Sequence, residues 1–158
     1  MRRKKRQITR YTKVKVDGIE FASKLESRMH LLLKSENIPN VYEGKKFTII
    51  ENFNFENSSW EKSKSKKIME DKGHKKILPI TYTPDFVDAQ EPPRFIIECK
   101  GNPNERFPLV WKLFKRYLAI NNMDTDLYMP RTQKDCLDVV KEIKKKYFTA
   151  DHSDRTDL

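Results

Sequence analysis

Several large classes of protein are excluded by what this sequence lacks. No apolar run reaches the roughly 18 residues that a membrane-spanning helix needs, so no membrane partner is expected. The basic start of the chain has no apolar stretch of the signal-peptide kind. A glycine-rich phosphate loop is also missing, so no nucleotide cofactor is expected. The two cysteines, Cys99 and Cys136, form no CxxC pair, which favours free intracellular thiols over a structural zinc site. These absences predict a cytoplasmic protein.

Positive charge is abundant and unevenly distributed. The formal net charge is +10, yet residues 1–16 alone carry eight Lys/Arg and no acid, and residues 61–76 carry seven lysines against three acids. The rest of the chain sums to about −2 and is therefore nearly neutral. Concentrated positive charge attracts polyanions by releasing condensed counterions, which favours nucleic acid as a partner. The alternative is that these segments only keep the protein in solution.

Hydrophobic periodicity predicts three helices. One runs from Ser23 to about Asn37, with Leu25, Met29, Leu32 and Leu33 on one face. A second starts between Asn104 and Pro108. The last follows a capping signature at Thr132 and buries Cys136, Val140, Ile143 and Tyr147.

Four strands are predicted between and after these helices. They cover Lys46–Phe53, Ile80–Ala89, Arg94–Lys100 and Asp126–Met129, and the second and third are close enough to form an antiparallel hairpin. The order predicts an α/β fold with a mixed four-stranded sheet flanked by helices. Residues 1–16 are expected to form a flexible basic arm, residues 17–149 the folded domain and residues 150–158 a polar tail. A lysine-rich insertion, residues 54–78, shows no periodicity.

Acidic and basic side chains interrupt two apolar strands in a pattern suited to phosphodiester chemistry. Side chains alternate along a strand, so Glu98 and Lys100 are expected on one face, and a neighbouring antiparallel strand would bring Asp85 beside them. Two adjacent carboxylates repel each other unless a hard divalent cation lies between them. Such a cation activates water for attack on phosphorus, and an adjacent ammonium neutralises the transition state. A charged, solvent-facing strand is the alternative interpretation.

With these residues placed, the chain resembles the PD-(D/E)-x-K nuclease superfamily, and in particular small, mostly phage-encoded proteins of that superfamily. The resemblance covers about Asp17 to Tyr117 and includes a second stretch, Asp17–Glu26, like the one that opens the first helix in that family. It implies a restriction-endonuclease-like core and a location in the cytoplasm of a bacterial or phage-infected cell. It also implies Mg²⁺ or Mn²⁺ as cofactor, held by Asp85, Glu98, Glu26 and the Cys99 backbone carbonyl, with Lys100 as the catalytic lysine.

Glu26 has a second interpretation that needs no metal. Ser23 and Glu26 have the spacing of a capping box, in which the glutamate reaches back to the Ser23 amide. Spacing alone does not separate this role from that of a metal ligand.

The resemblance further implies an endonuclease that cuts DNA and leaves 5′-phosphate and 3′-hydroxyl ends. Duplex DNA and branched DNA are both candidate substrates, and branched DNA suits the likeness to phage junction-resolving enzymes. One domain offers one site, so cutting both strands would need a homodimer or two successive events. Three basic segments are expected to contact phosphates. They comprise Arg2, Arg3, Lys4, Lys5 and Arg6 in the arm, Lys64, Lys66 and Lys67 in the insertion, and Lys112, Lys115 and Arg116 on the second helix.

Aromatic residues near these lysines have two interpretations each. Trp111 and Tyr117 either face nucleic acid or pack into the core, and Trp60 either stacks on a base or anchors the insertion. A non-catalytic nucleic-acid-binding or assembly protein on a nuclease fold is the alternative to an enzyme.

Overall fold

The computed structural model describes residues 12–149. The predicted phosphate contacts of the arm, Arg2 to Arg6, and the polar tail after residue 149 lie outside the described residues. Within residues 12–149, no helix is long and apolar enough to cross a membrane.

All three predicted helices are present, and local signals explain where each begins. Helix α1 (Lys24–Ser35) starts after Ser23, whose hydroxyl accepts from the Glu26 amide. Helix α2 (Phe107–Ile120) has a proline in its first turn, where the missing amide hydrogen costs nothing. Helix α3 (Gln133–Phe148) starts with the predicted capping box, in which the Thr132 and Asp135 side chains each accept from the other's amide.

The strands of the described chain are short. In chain order they are β1 Val14–Val16, β2 Ile19–Phe21, β3 Asn40–Tyr42, β4 Phe47–Ile50, β5 Phe53–Phe55, β6 Trp60–Lys62, β7 Met69–Asp71, β8 Lys75–Ile77, β9 Ile80–Tyr82, β10 Phe86–Asp88, β11 Phe95–Ile97 and β12 Asp126–Tyr128. Strands β1 and β2 form a hairpin around Asp17 and Gly18. Both residues have a positive φ, in the left-handed region that this two-residue turn requires.

The central sheet is mixed and has four strands in the spatial order β12-β11-β10-β3. Strand β11 is parallel to β12, while β10 is antiparallel to both β11 and β3. The mixed four-stranded sheet and the β10–β11 hairpin were therefore predicted correctly. One strand of the predicted sheet was wrong, because β3 pairs with β10 in the position expected for Lys46–Phe53. The predicted strand Ile80–Ala89 is also divided, with Pro84 between β9 and β10.

Apolar side chains cover both faces of this sheet. On one face, Phe86, Phe95 and Ile97 pack with α1 and α3. On the other face, Val87 and Ile96 pack with α2 and with the first strand pair of the ribbon described below. Alternation along β10 and β11 thus sends successive residues into two cores, which fixes the face to which each following polar side chain belongs.

The lysine-rich insertion, residues 54–78, in which the sequence shows no periodicity, forms most of a long two-stranded ribbon. Strands β4, β5 and β6 pair in turn with β9, β8 and β7, all antiparallel. The Ser63 amide donates to the Ile68 carbonyl at 2.8 Å and closes the far turn. We call residues 47–82 the β-ribbon and residues 59–72 its tip. Beyond β4 and β9, most ribbon side chains are exposed on both faces, so the sequence shows no alternating pattern.

Candidate active site

The hairpin register places Asp85 opposite Glu98. Phe86 pairs with Ile97, so the residue before one strand and the residue after the other form the next position of the ladder. Asp85 shares its face with Val87, and Glu98 shares its face with Ile96, which is the α2 side of the sheet. Asp85 and Glu98 therefore project together from the end of the hairpin.

Glu98 is buried and holds two partners. The Tyr82 hydroxyl donates to its Oε2 at 2.6 Å, and the Lys100 ammonium donates to its Oε1 at 3.2 Å. The Lys100–Glu98 contact confirms that these two side chains lie on one face, because the segment stays extended past β11. Its backbone continues the parallel ladder: the amides of Glu98 and Lys100 donate to the carbonyls of Tyr128 and Pro130.

Asp85 is half-buried and accepts a 2.7 Å hydrogen bond at Oδ2 from the Cys99 amide. Burial raises the pKa of Asp85 to about 8, and the nearby charges of Glu98 and Glu26 act in the same direction. The Cys99 amide and the Lys100 ammonium lower this pKa but do not balance the increase. The carboxyl groups of Asp85, Glu98 and Glu26 thus lie close enough to interact electrostatically, and Lys100 is the nearby cation that acts on Asp85.

Glu26 is buried, and both oxygens of its carboxylate are engaged. Oε2 accepts from the Tyr42 hydroxyl at 2.7 Å and from the Ala22 amide at 3.2 Å, and Oε1 accepts from the Ser23 hydroxyl at 2.8 Å. The Ser23 half of the capping box is present, but the glutamate reaches the Ala22 amide one residue earlier than predicted. Glu26 therefore acts at the helix start while its charge still influences Asp85.

The donor set of this site suits a hard divalent cation, with one qualification. Buried carboxylates with a raised pKa are stabilised as anions by a cation, and Mg²⁺ prefers oxygen ligands of this kind. Within residues 12–149, however, no three His, Cys, Asp or Glu side chains are arranged to hold a metal ion. Asp85 and Glu98 are the pair that fits best, with the Cys99 carbonyl as the neighbouring oxygen of the chain.

A cavity of about 550 Å³ opens beside this cluster. Glu26, Cys99 and Lys100 line one part of it, and Lys24 and Asn104 line another. The cavity lies between the start of α1 and the loop that follows Lys100. Of the cluster residues, Glu26 and Lys100 line the cavity, whereas Asp85 and Glu98 do not.

The predicted phosphate-binding residues of the described chain are exposed in two places. Lys64, Lys66 and Lys67 lie at the tip of the β-ribbon, and Lys112, Lys115 and Arg116 lie on the outer side of α2. Helix α2 and the base of the β-ribbon are on the same side of the sheet as Asp85 and Glu98, because α2 packs on β4.

The aromatics near these basic residues divide into core and surface. Trp111 is buried and Tyr117 is half-buried, with rings packed against Phe107 and Phe47, so the core interpretation is confirmed for both. Trp60 is 64% exposed and does not anchor the ribbon to the core.

Two tyrosines complete the site and were missed from the sequence. Tyr82 and Tyr42 donate to Glu98 and Glu26, and burial together with these carboxylates raises the pKa of each hydroxyl well above its ordinary value. Both hydroxyls therefore stay protonated donors. A signal existed for Tyr82, because a buried tyrosine needs a partner for its hydroxyl and this one comes three residues before Asp85.

Fold and site define an α/β protein with a buried carboxylate cluster at the end of a β-hairpin. The chain belongs to the family described as protein of unknown function (DUF1064), whose model matches residues 6–134. The matched range includes Glu26, Asp85, Glu98 and Lys100. No curated protein and no solved structure matches the chain.

Proposed function

We propose that this protein is a Mg²⁺- or Mn²⁺-dependent endonuclease that hydrolyses DNA phosphodiester bonds. The observation that carries the proposal is the convergence of Asp85, Glu98 and Lys100 in one cluster, where burial and like charges raise the pKa of Asp85 to about 8. Buried carboxylates with perturbed pKa values beside an accessible cavity are typical of functional sites.

Each residue of the cluster has a distinct part in this proposal. Asp85 and Glu98, with the Cys99 carbonyl, would hold the ion, and Glu26 would add charge from the start of α1. A bound divalent ion supplies Lewis-acid polarisation of a phosphate oxygen and lowers the pKa of water. Lys100 would place its positive charge beside a phosphate at the cavity. There the ammonium would neutralise the negative charge that develops around phosphorus in the transition state. Tyr82 orients the Glu98 carboxylate.

We also propose that the fold is a restriction-endonuclease-like core. A restriction-endonuclease-like core is supported by the mixed sheet with helices on both faces. It is also supported by the position of the acidic pair at the end of the β10–β11 hairpin. One site per chain means that cutting both strands needs a homodimer or two successive events.

A second candidate function is favoured by one observation. No three ionisable donors of the described chain are arranged to hold a metal ion, as expected for a non-catalytic nucleic-acid-binding protein on a nuclease fold. In that case the basic surfaces would bind DNA without cleavage.

Cleavage assays distinguish the two candidates. Duplex, single-stranded and four-way-junction DNA and a matched RNA are incubated with the protein in Mg²⁺, in Mn²⁺ and in EDTA. We expect metal-dependent cleavage of DNA that Asp85→Asn, Glu98→Gln and Lys100→Met each abolish. Glu51→Gln, an exposed acid on the β-ribbon, is the matched control and should cleave as the parent does.

Cleavage that survives Glu98→Gln and Lys100→Met would overturn the site assignment. Binding without cleavage in either metal would establish the second candidate, and cleavage of the RNA alone would exclude DNA as the substrate.

A further inference from the structure

The tip of the β-ribbon exposes an unusual amount of apolar surface. Trp60 is 64% exposed, and Ile68 and Met69 of the same tip are 55% and 57% exposed. The other tryptophan, Trp111, is buried at 8%. No described helix or strand packs closely on the outer ribbon, whose strands mainly contact one another. A two-stranded ribbon is marginally stable alone in water, so this surface is suited to a partner that covers it.

Cross-strand pairing gives the ribbon tip two different faces. Trp60 pairs with Asp71 and Lys62 pairs with Met69, so these four side chains share one face. Glu61 and Glu70 pair with each other and share the opposite face. The Asp71 carboxylate accepts from the Ser59 and Gly73 amides and is used within the ribbon. The Trp60 face therefore presents an indole, a thioether and an ammonium.

The positive charges around Trp60 are complementary to the negative charges of a polyanion. Lys62, Lys64 and Lys67 are exposed, and no ion pair engages any of them within residues 12–149. The neighbouring Lys66, by contrast, pairs with an acid, with its Nζ 3.0 Å from Glu70 Oε1. A second copy of the chain would bring like charges together at this face, which disfavours association. Phosphates would neutralise the three lysines.

We propose that the ribbon tip is a second nucleic-acid-binding site, in which Trp60 stacks on an unpaired base while Lys62, Lys64 and Lys67 contact the adjoining phosphates. An exposed aromatic among lysines binds single strands because every base offers a stacking face. In continuous duplex those faces are covered by neighbouring bases, and uncovering one costs a few kcal/mol. The preferred substrate is accordingly DNA with unpaired bases, such as a single strand or a splayed fork.

This inference rests on the proposed function only for naming DNA as the ligand. Lys62 is twelve positions after Ile50, so in extended chain the tip lies at most roughly 40 Å from the ribbon base. A duplex arm of about 12 base pairs, at roughly 3.4 Å each, is therefore long enough to reach from the carboxylate cluster to the tip.

The experiment measures binding rather than cleavage, with the full chain in EDTA. Four labelled DNAs of equal length are compared: a single strand, a splayed fork, a four-way junction and a continuous duplex. We expect the parent to prefer the single strand and the fork to the two fully paired DNAs, and Trp60→Ala to weaken binding to the preferred two about tenfold or more. Trp60→Phe should retain most of the affinity. Leu78→Ala, which removes another highly exposed apolar side chain of the ribbon, is the matched control and should bind as the parent does.

Tryptophan fluorescence provides a readout that a folding defect would not imitate. Because Trp111 is buried, quenching on binding the fork should come from Trp60 and should disappear in Trp60→Phe. Equal affinity of the parent for duplex and fork, or unchanged affinity of Trp60→Ala for the fork, would overturn the proposal. So would a concentration-dependent self-association that Trp60→Ala abolishes without any change in DNA affinity. A nuclease assay that fails leaves this binding result intact, and the two proposals therefore fail separately.

Discussion

Tyr82 donates a 2.6 Å hydrogen bond to Oε2 of Glu98, and the donor belongs to the β-ribbon while the acceptor belongs to the central sheet. Pro84 lies between β9 of the ribbon and β10 of the central sheet. The Tyr82–Glu98 hydrogen bond therefore joins the base of the ribbon to the acidic cluster. The tyrosine ring packs against Trp111 and Phe114 of α2, which fixes the direction of its hydroxyl. Tyr82 is thus a positioning residue for a carboxylate that the proposed chemistry uses.

The first prediction follows from this contact. Tyr82→Phe removes one donor from a buried carboxylate, and we expect the concentration of Mg²⁺ needed for half-maximal cleavage to rise about 10-fold. DNA affinity in EDTA should not change, because the hydroxyl faces Glu98 rather than solvent. Tyr117→Phe is the matched control, since that ring packs in the same cluster and its hydroxyl makes no hydrogen bond within residues 12–149. An unchanged Mg²⁺ requirement in Tyr82→Phe would remove the positioning role.

The second prediction concerns stability against pH in EDTA. The pKa of Asp85 is about 8 in the folded chain against an ordinary value of 3.8, so between these values the folded state binds more protons than the unfolded state. The free energy of unfolding should therefore fall as the pH rises from about 5 to about 8, by at most about 1.4 kcal/mol per pH unit. Asp85→Asn should flatten this dependence in urea titrations. A parent protein equally stable at pH 5 and pH 8 would contradict the raised pKa.

The third prediction concerns the opposite end of the same hairpin. The Asp88 side chain is fully buried and accepts from the Arg94 guanidinium at 2.7 and 3.2 Å and from the Arg94 amide at 3.0 Å. Asp88→Asn breaks this pair and leaves the guanidinium without its counterion, so we expect a loss of about 2–4 kcal/mol in urea unfolding. Asp138→Asn, an exposed acid on α3, should cost less than about 0.5 kcal/mol.

The Asp88 pair also has a pH dependence of the opposite sign to that of Asp85. Burial alone would raise the pKa of Asp88, but the hydrogen bonds from Arg94 hold it below 3.8. Its stabilising contribution is therefore complete above pH 4 and is lost as the pH falls through the lowered value. A parent and an Asp88→Asn variant whose stabilities differ as much at pH 2 as at pH 7 would exclude this assignment.

Helices and the acidic hairpin could be predicted because each has a strong local signal. Ser23 and Thr132 accept from the first amides of α1 and α3, and the apolar faces of those helices repeat at helical spacing. Alternation along β11 was enough to place Glu98 and Lys100 together, since the strand is buried on both faces. Interactions between residues close in sequence therefore determine these helices and this hairpin.

The outer ribbon strands β5 to β8 and strand β3 could not be predicted because burial does not pattern their sequences, whereas β4 and β9 lie within predicted strands. Strand β6 is exposed on both faces, so it has no apolar alternation, and its pairing with β7 depends on the turn at residues 63–68. Strand β3 has three residues directly after Pro39 and gains its place only by pairing with β10. The contact of Tyr42 with Glu26 follows from that pairing and was invisible for the same reason.

The last prediction tests whether the ribbon tip contacts phosphates. Each lysine that neutralises a phosphate adds about 0.9 to the slope of log affinity against log salt on duplex DNA, and about 0.7 on a single strand. Because Lys64 and Lys67 are exposed and make no ion pair within residues 12–149, they are available for this role. We expect the double variant Lys64→Gln/Lys67→Gln to bind fork DNA more weakly, with a slope flatter by roughly 1.5. The matched control is Lys141→Gln/Lys145→Gln on α3, which covers the other face of the sheet.

The control has the same change in net charge, so a general electrostatic effect would alter both proteins alike. A smaller slope in the ribbon variant alone would show direct phosphate contacts at the tip, because only contacting charges release counterions. Equal slopes in the two double variants would mean that the tip lysines act only through the overall charge of the protein. Binding at the ribbon tip would then depend on Trp60 without a contribution from Lys64 and Lys67.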